Sequence, residues 1–210
     1  MTPHPPRSAP PAPVRLRLYA WVAGLFLGAL EGALAVVVAD NRSGALALVC
    51  VVGAAMVLGT VAGRPLARHL GRRRTGLVMA VLAAVGAGLA AGLDGVPALI
   101  GAGLAGSAAG GLLVVAPLVC HELSLRGHKR LMPQDMALGS AGAGVATLAA
   151  WWSPARTPTA WVVVAVAALV HLFCALRLPE SPTWLVRQSH DVEAFEALRC
   201  LHGTLEASVA

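Results

Sequence analysis

The chain has 210 residues, of which 57% are hydrophobic and 12% charged, with a formal charge of +6 and a mean hydropathy of +0.73. Ten acids, sixteen bases and seven histidines are too few to cover a soluble domain of this length with polar groups. An ordinary soluble enzyme or nucleic-acid-binding domain is thereby excluded, and the chain is expected in a lipid bilayer.

The opening MTPHPPRSAPPAP is Pro-rich, lacks aromatic residues and reads as a disordered tail over 1–16. Six apolar spans follow, near 18–40, 43–63, 75–93, 97–119, 131–152 and 159–177. Each approaches the ~20 helical residues that cross ~30 Å of hydrocarbon. The runs are rich in Ala, Leu and Val without the period of two that a barrel strand needs, and helices satisfy every backbone group internally. The first span is longer than the ~7–15 apolar residues of a signal peptide and holds Glu31, so it reads as a retained helix. The expected fold is an all-α membrane protein. A six-helix transmembrane bundle occupies 17–178, a Pro-rich motif and a short amphipathic cytoplasmic helix occupy 179–203, and 204–210 is a tail.

Small residues punctuate the spans. Gly24, Gly28 and Gly32 recur every four residues on the first, a spacing that lets helix backbones approach closely in lipid, so this helix is expected to pack there. Gly59 and Gly63, Gly88 and Gly92, and Gly106 and Gly110 repeat the spacing. They fit either close packing or an Ala/Gly-rich composition.

The bases set orientation. With the N-terminus inside, the inner segments hold Arg7, Arg15, Arg17, Arg64, Arg68, Arg72, Arg73, Arg74, Arg126, Lys129, Arg130, Arg177, Arg187 and Arg199, and the outer loops only Arg42 and Arg156. Fourteen against two is a strong positive-inside asymmetry, so both termini are expected in the cytoplasm and the protein in the plasma membrane. The basic segments suit anionic lipid. A nucleic-acid partner is not expected, because the bases are split over four segments without interleaved aromatics. There is no CxxC, and Cys120 with His121 or Cys200 with His202 is too small a ligand set for a metal. No metal or cofactor is expected.

Four polar residues stand out. Glu31 is the one acid in the middle of a span, where an ionisable group is costly and marks a functional candidate. It shares a helix face with Gly24 and Gly28. His171 lies near the middle of the sixth span and is either a group that titrates near neutral pH or a neutral, internally satisfied side chain. Pro133, Gln134 and Asp135 open the fifth span. They either start that helix at the interface or offer a solute hydrogen bonds, since an amide both donates and accepts.

Three connecting stretches carry motifs. GRPLARHLGRRR, residues 63–74, reads as a tight cationic turn opened by Gly63. APLVCHELSLRG follows the fourth span, and RLPESPTWLVRQ the sixth. In the last, Pro179 ends the sixth helix, and Ser181 caps a new helix with Pro182 at its first position. That helix, roughly 182 to 202, has Leu185, Phe195, Leu198 and Leu201 on one side and Arg187, Asp191 and Glu196 among its polar positions, and is expected along the membrane surface.

Leu66, Ala67, Gly71, Arg72 and Arg73 match the major facilitator signature loop G-x-L-A-D-R-x-G-R-R, with Arg68 in place of its Asp and His69 in place of its first Arg. Pro117, Glu122, Arg126 and Gly127 match a second motif, and Pro179, Glu180, Ser181, Pro182, Trp184, Leu185, Glu193, Ala194, Leu198, Leu201 and Gly203 a third, P-E-S-P-R-W-L and its following helix, with Thr183 for the Arg. The chain resembles the first half of the sugar porter family. The resemblance implies a transporter rather than an enzyme, with these motifs forming a cytoplasmic gate in which Glu180 joins a charge network; a plain helix-capping role for Glu180 is the other reading. It implies a solute path between two six-helix halves near the midplane. It also implies Gln134, with Asp135, as a sugar-binding position and Glu31 as the counterpart of a proton-linked Asp, although the usual Arg partner's place is taken by Ala102. The expected function is transport of a small, sugar-like solute by half of an alternating-access carrier, possible as a proton symporter, with a homodimer or a second six-helix half completing it. The alternative is a transport-inactive membrane fragment or helix-bundle scaffold, which the replacements at Arg68, Ala102 and Thr183 favour.

Overall fold

The computed structural model describes residues 14–40, 44–123, 131–153 and 155–202, and all regular structure among them is helical. Six long helices form the bundle: α1 Val14–Ala39, α2 Ala45–His69, α3 Arg72–Gly92, α4 Val96–Leu123, α5 Leu131–Ala149 and α6 Arg156–Leu176. A single 3-10 turn, Ala150–Trp152, extends α5, and two short helices, α7 Pro182–Arg187 and α8 Asp191–His202, follow α6.

Glycine contacts fix the packing. A Cβ at Gly24 would collide with the Met136 carbonyl, one at Gly28 with that of Ser140, and one at Gly32 with the Thr147 hydroxyl. The contacts climb both helices together, so α1 and α5 run parallel with their backbones touching, as the glycine spacing on the first span implied. On α2, Gly59 lies against the Ser107 carbonyl, while Gly106 and Gly110 of α4 lie against the carbonyls of Val52 and Met56. This is a second parallel, reciprocal small-residue seam. Gly88 and Gly92 of α3 have nothing within 4 Å of an added Cβ, so that pair does not mediate packing. α3 packs against α4 and α6, and α6 also against α1. The shared core is built from Phe26, Leu30, Leu112, Trp161 and a dense set of alanines.

Among the described residues, five helices are long and apolar enough by themselves to cross a membrane: α1, α2, α3, α4 and α6. α5 opens with the polar pair Gln134 and Asp135, is rich in Gly, Ala and Ser, and packs along α1. Burial is uneven: 67% of the apolar window of α1 is covered, against 11% of that of α2. α2 therefore presents Leu46, Val57, Leu58 and Val61 outward, a surface that only lipid or another protein can cover.

The structure corrects several helix ends. α2 continues through Gly63 and Pro65 to His69, so the turn to α3 is only Leu70 and Gly71. Gly63 is thus not the start of a loop but a packing residue, 3.2 Å from Gly111 as measured to an added Cβ. Gly71 takes φ 93° at the head of α3, a conformation that side chains resist. The single amphipathic helix expected over 182–202 is divided, because Ser189 adopts φ 61° and the His190 N–H turns back to the Leu185 carbonyl at 2.9 Å. α8 restarts with Asp191 and Glu193 in its first turn, where acids favour the helix dipole. Arg126 and Gly127 lie outside the described residues.

Candidate functional site

At one end of the bundle α2 stops, α3 starts, α4 stops, and α6 hands over to α7. Arginines cluster there, and it is called the basic end below. Arg72, on the first turn of α3, is 7% exposed. Its Nη2 donates to Glu122 Oε1 at 2.8 Å and its Nε to Glu122 Oε2 at 3.1 Å, a bidentate pair joining α3 to α4. Its Nη1 donates to the Ala67 carbonyl at 2.7 Å, one of the acceptors left open at the end of α2. The Ser181 hydroxyl donates to Glu122 Oε2, which adds the segment after α6 to the same carboxylate.

The tripeptide Glu180-Ser181-Pro182 works at two helix ends. Ser181 caps α7, accepting from the Trp184 N–H, with Pro182 at the first helical position. Glu180 caps a different helix from its own. Its Oε1 accepts the Arg73 backbone N–H at 2.9 Å, at the head of α3. Its carboxylate lies so close to Gly71 that an added Cβ would sit 2.8 Å from Oε2. The contacts of the Glu180 carboxylate are thus those of a cap, to backbone N–H groups at the head of α3 and of Ser181. Trp184 Nε1 donates to the Arg68 carbonyl at 3.0 Å, tying α7 to the end of α2. Arg68 contributes backbone here, so replacement of the signature Asp leaves this contact intact. Thr183, in place of the motif's Arg, hydrogen-bonds Ser181 at 2.9 Å.

The other candidates are spread along the bundle. α5 covers one side of α1 at Gly24, Gly28 and Gly32, and on that side Glu31 stays exposed. Gln134 is exposed near the start of α5. Gly28 touches Ser140, which places Gln134 six residues below that contact and Glu31 three above it. At 1.5 Å per residue the two are roughly 13 Å apart along the axis, so they occupy separate levels of the open face. Ala102 is fully buried in the core, so α4 offers Glu31 no cation there. Asp135 is 7% exposed and accepts from Arg17 Nε at 2.9 Å and Nη2 at 3.0 Å; it is committed to an ion pair rather than free for a solute. His171 is fully buried, its ring 5.0 Å from that of Tyr19, with neither nitrogen hydrogen-bonded. The reading of an internally satisfied histidine is corrected on that point: among the described residues neither ring nitrogen has a hydrogen-bond partner. Sequence reasoning missed Arg17, which was counted only as a topology determinant. Its signal was a cation immediately before the first apolar run, with a lone acid at the head of the fifth.

Among proteins with known roles, the chain is similar to plastidic glucose transporter 4 of Arabidopsis thaliana, 32% identical over 198 residues that cover 86% of this chain and 35% of that protein. Its fold is that of solved structures of XylE. One is the proton:xylose symporter bound to 6-bromo-6-deoxy-D-glucose, with TM-score 0.73 and 20% identity over 93% of this chain and 51% of that one. Another is the partially occluded inward-open xylose transporter from E. coli, with TM-score 0.74, 20% identity and 93% and 57% coverage. The chain thus spans about a third of the length of the glucose transporter and about half that of the solved structures. The sequence model of the family described as Sugar (and other) transporter matches residues 28–210. Apolar helices, fold and family together make this an integral membrane protein that belongs to the sugar transporter family, with the six-helix fold of the N-terminal half of a major facilitator carrier.

Proposed function

We propose that this chain forms one half of an alternating-access carrier for a small, neutral, hydroxyl-rich solute, with the basic end in the cytoplasm. The observation that carries the reading is the open face of the bundle, where α1 and α5 expose Glu31 and Gln134 while α2 leaves most of its apolar surface uncovered. Glu31, well inside α1, would be costly against lipid. The two residues suit a path closed by a second six-helix unit, either another copy or a separate half. The network at the basic end supports the gate role. It ties the ends of α2, α3, α4 and the start of α7 into one rigid cap, the kind of body that moves as a unit in rocking transport.

The test is uptake of D-glucose and D-xylose into proteoliposomes holding the chain alone or together with a separately encoded six-helix partner. Uptake is expected with the partner, or from a dimer of the chain, and cross-linking in mild detergent should trap that assembly. A monomer that binds no partner in its native membrane and moves neither sugar would establish the inactive scaffold instead. Orientation has its own check. Reporter fusions at Arg72 should read inside and those at Arg156 outside, as the distribution of bases requires; the opposite pattern rejects the proposed sidedness.

A further inference from the structure

Arg17 and Asp135 form an ion pair that nothing in the transport reading requires. Arg17 lies near the start of α1, and its side chain is 52% exposed, against 9% for Asp135. The carboxylate receives two parallel N–H bonds, from Nε at 2.9 Å and from Nη2 at 3.0 Å. This fork-to-fork geometry fixes the guanidinium plane as well as its position. A guanidinium has five N–H donors, and among the described residues Asp135 takes up two of those of Arg17, which leaves three. Gln134, next to Asp135 in sequence, is also exposed. At one level of the open face there are thus an amide that donates and accepts, a set of oriented guanidinium donors, and a buried carboxylate that cancels their charge.

We infer that Arg17, clamped by Asp135, is a solute-binding residue beside Gln134, and that the clamp selects neutral, hydroxyl-rich solutes over anions. The inference rests on the transporter reading and extends it to a named pair. A bare arginine at the mouth of a path would attract carboxylates and phosphates as readily as hydroxyls. With Asp135 engaged, the pair is neutral overall, and its free N–H groups suit hydroxyl oxygens. Fixing the guanidinium also removes the rotamer entropy that a free arginine would lose on binding a solute.

The test is binding of radiolabelled D-glucose and D-xylose to the full chain in vesicles of its native membrane, with D-gluconate as an anionic competitor. The parent protein should bind neutral sugar and resist gluconate. Asp135→Asn should weaken neutral-sugar binding by about five- to tenfold, the scale of a lost polar contact, and make gluconate an effective competitor. Arg17→Gln combined with Asp135→Asn should bind neutral sugar weakly but again resist gluconate, because the uncancelled charge is gone. Arg17→Lys keeps both charges and covers the case in which Asp135→Asn fails to fold. Losing the fork, it should weaken neutral sugar without admitting gluconate. Unchanged sugar affinity and unchanged gluconate resistance in Asp135→Asn and Arg17→Lys, in a parent that binds sugar, overturn the clamp and leave the transporter reading standing. A parent that binds neither sugar overturns both.

Discussion

Glu122→Ala is expected to destabilise the bundle by about 3 kcal/mol or more, the usual consequence of stripping one partner from a buried ion pair. Arg72 would keep its charge in a site where it is 7% exposed, with only the Ala67 carbonyl still accepting from it. The Ser181 hydroxyl would lose its acceptor on α4 as well. Ser181→Ala removes a single hydroxyl and a cap, and should cost about 1 kcal/mol. Replacing Arg72 and Glu122 together by Met should recover most of the stability lost in Glu122→Ala, since the penalty lies in the orphaned charge more than in the missing attraction. Tryptophan fluorescence during thermal unfolding in mild detergent ranks these variants. A Glu122→Ala loss no larger than that of Ser181→Ala would mean that the pair is solvated and does not hold the cap together.

The same network marks where the sequence stopped being informative. The partners of Arg72 are 5 and 50 positions away, and Glu180 reaches Arg73 across 107. The motif letters raised the expectation that these residues form a gate. Which carboxylate meets which base depends on where helix ends fall, however, and no local rule sets that. Glu180 illustrates the limit: Ser181 and Pro182 announce a helix start in their own segment, while the Glu180 carboxylate serves α3.

Apolar periodicity was a better guide to helices than to their ends. Six long runs gave six long helices, because lipid leaves the backbone no other way to satisfy its hydrogen bonds. Pro65 was read as part of a loop, yet α2 passes through it. The helix tolerates Pro65 there, and the seam against α4 carries it on as far as Ala67. Gly24, Gly28 and Gly32 announced a backbone contact correctly but could not name α5 as the partner. The Arg17–Asp135 pair, 118 positions apart, follows from that partnership. Once α1 and α5 run parallel in contact, an acid at the start of α5 comes within reach of the long side chain of a cation near the start of α1.

Glu31→Gln is expected to abolish pH-driven accumulation of solute while leaving downhill exchange near the parent rate. A side chain that carries a proton through the cycle must alternate between a charged and a neutral form. Gln is permanently neutral and close in volume, so the fold should persist. Exchange moves solute in both directions without net proton movement, and a neutral residue does not interrupt it. The structure bears on this expectation in two ways. Glu31 is exposed on the open side of α1, and Ala102 is sealed in the core, so that position of α4 supplies no charge partner; under the proposed half-carrier, a second unit covering this face would supply one. Removal of that unit should therefore be as damaging to coupling as removal of Glu31 itself. Gln134→Ala acts roughly 13 Å away along the axis and should instead raise the apparent KM for the solute without changing its response to a pH gradient. Uptake into proteoliposomes with and without an imposed gradient separates these behaviours. Accumulation by Glu31→Gln as steep as that of the parent would remove Glu31 from the proton path and leave a facilitator whose direction is set by solute concentration alone.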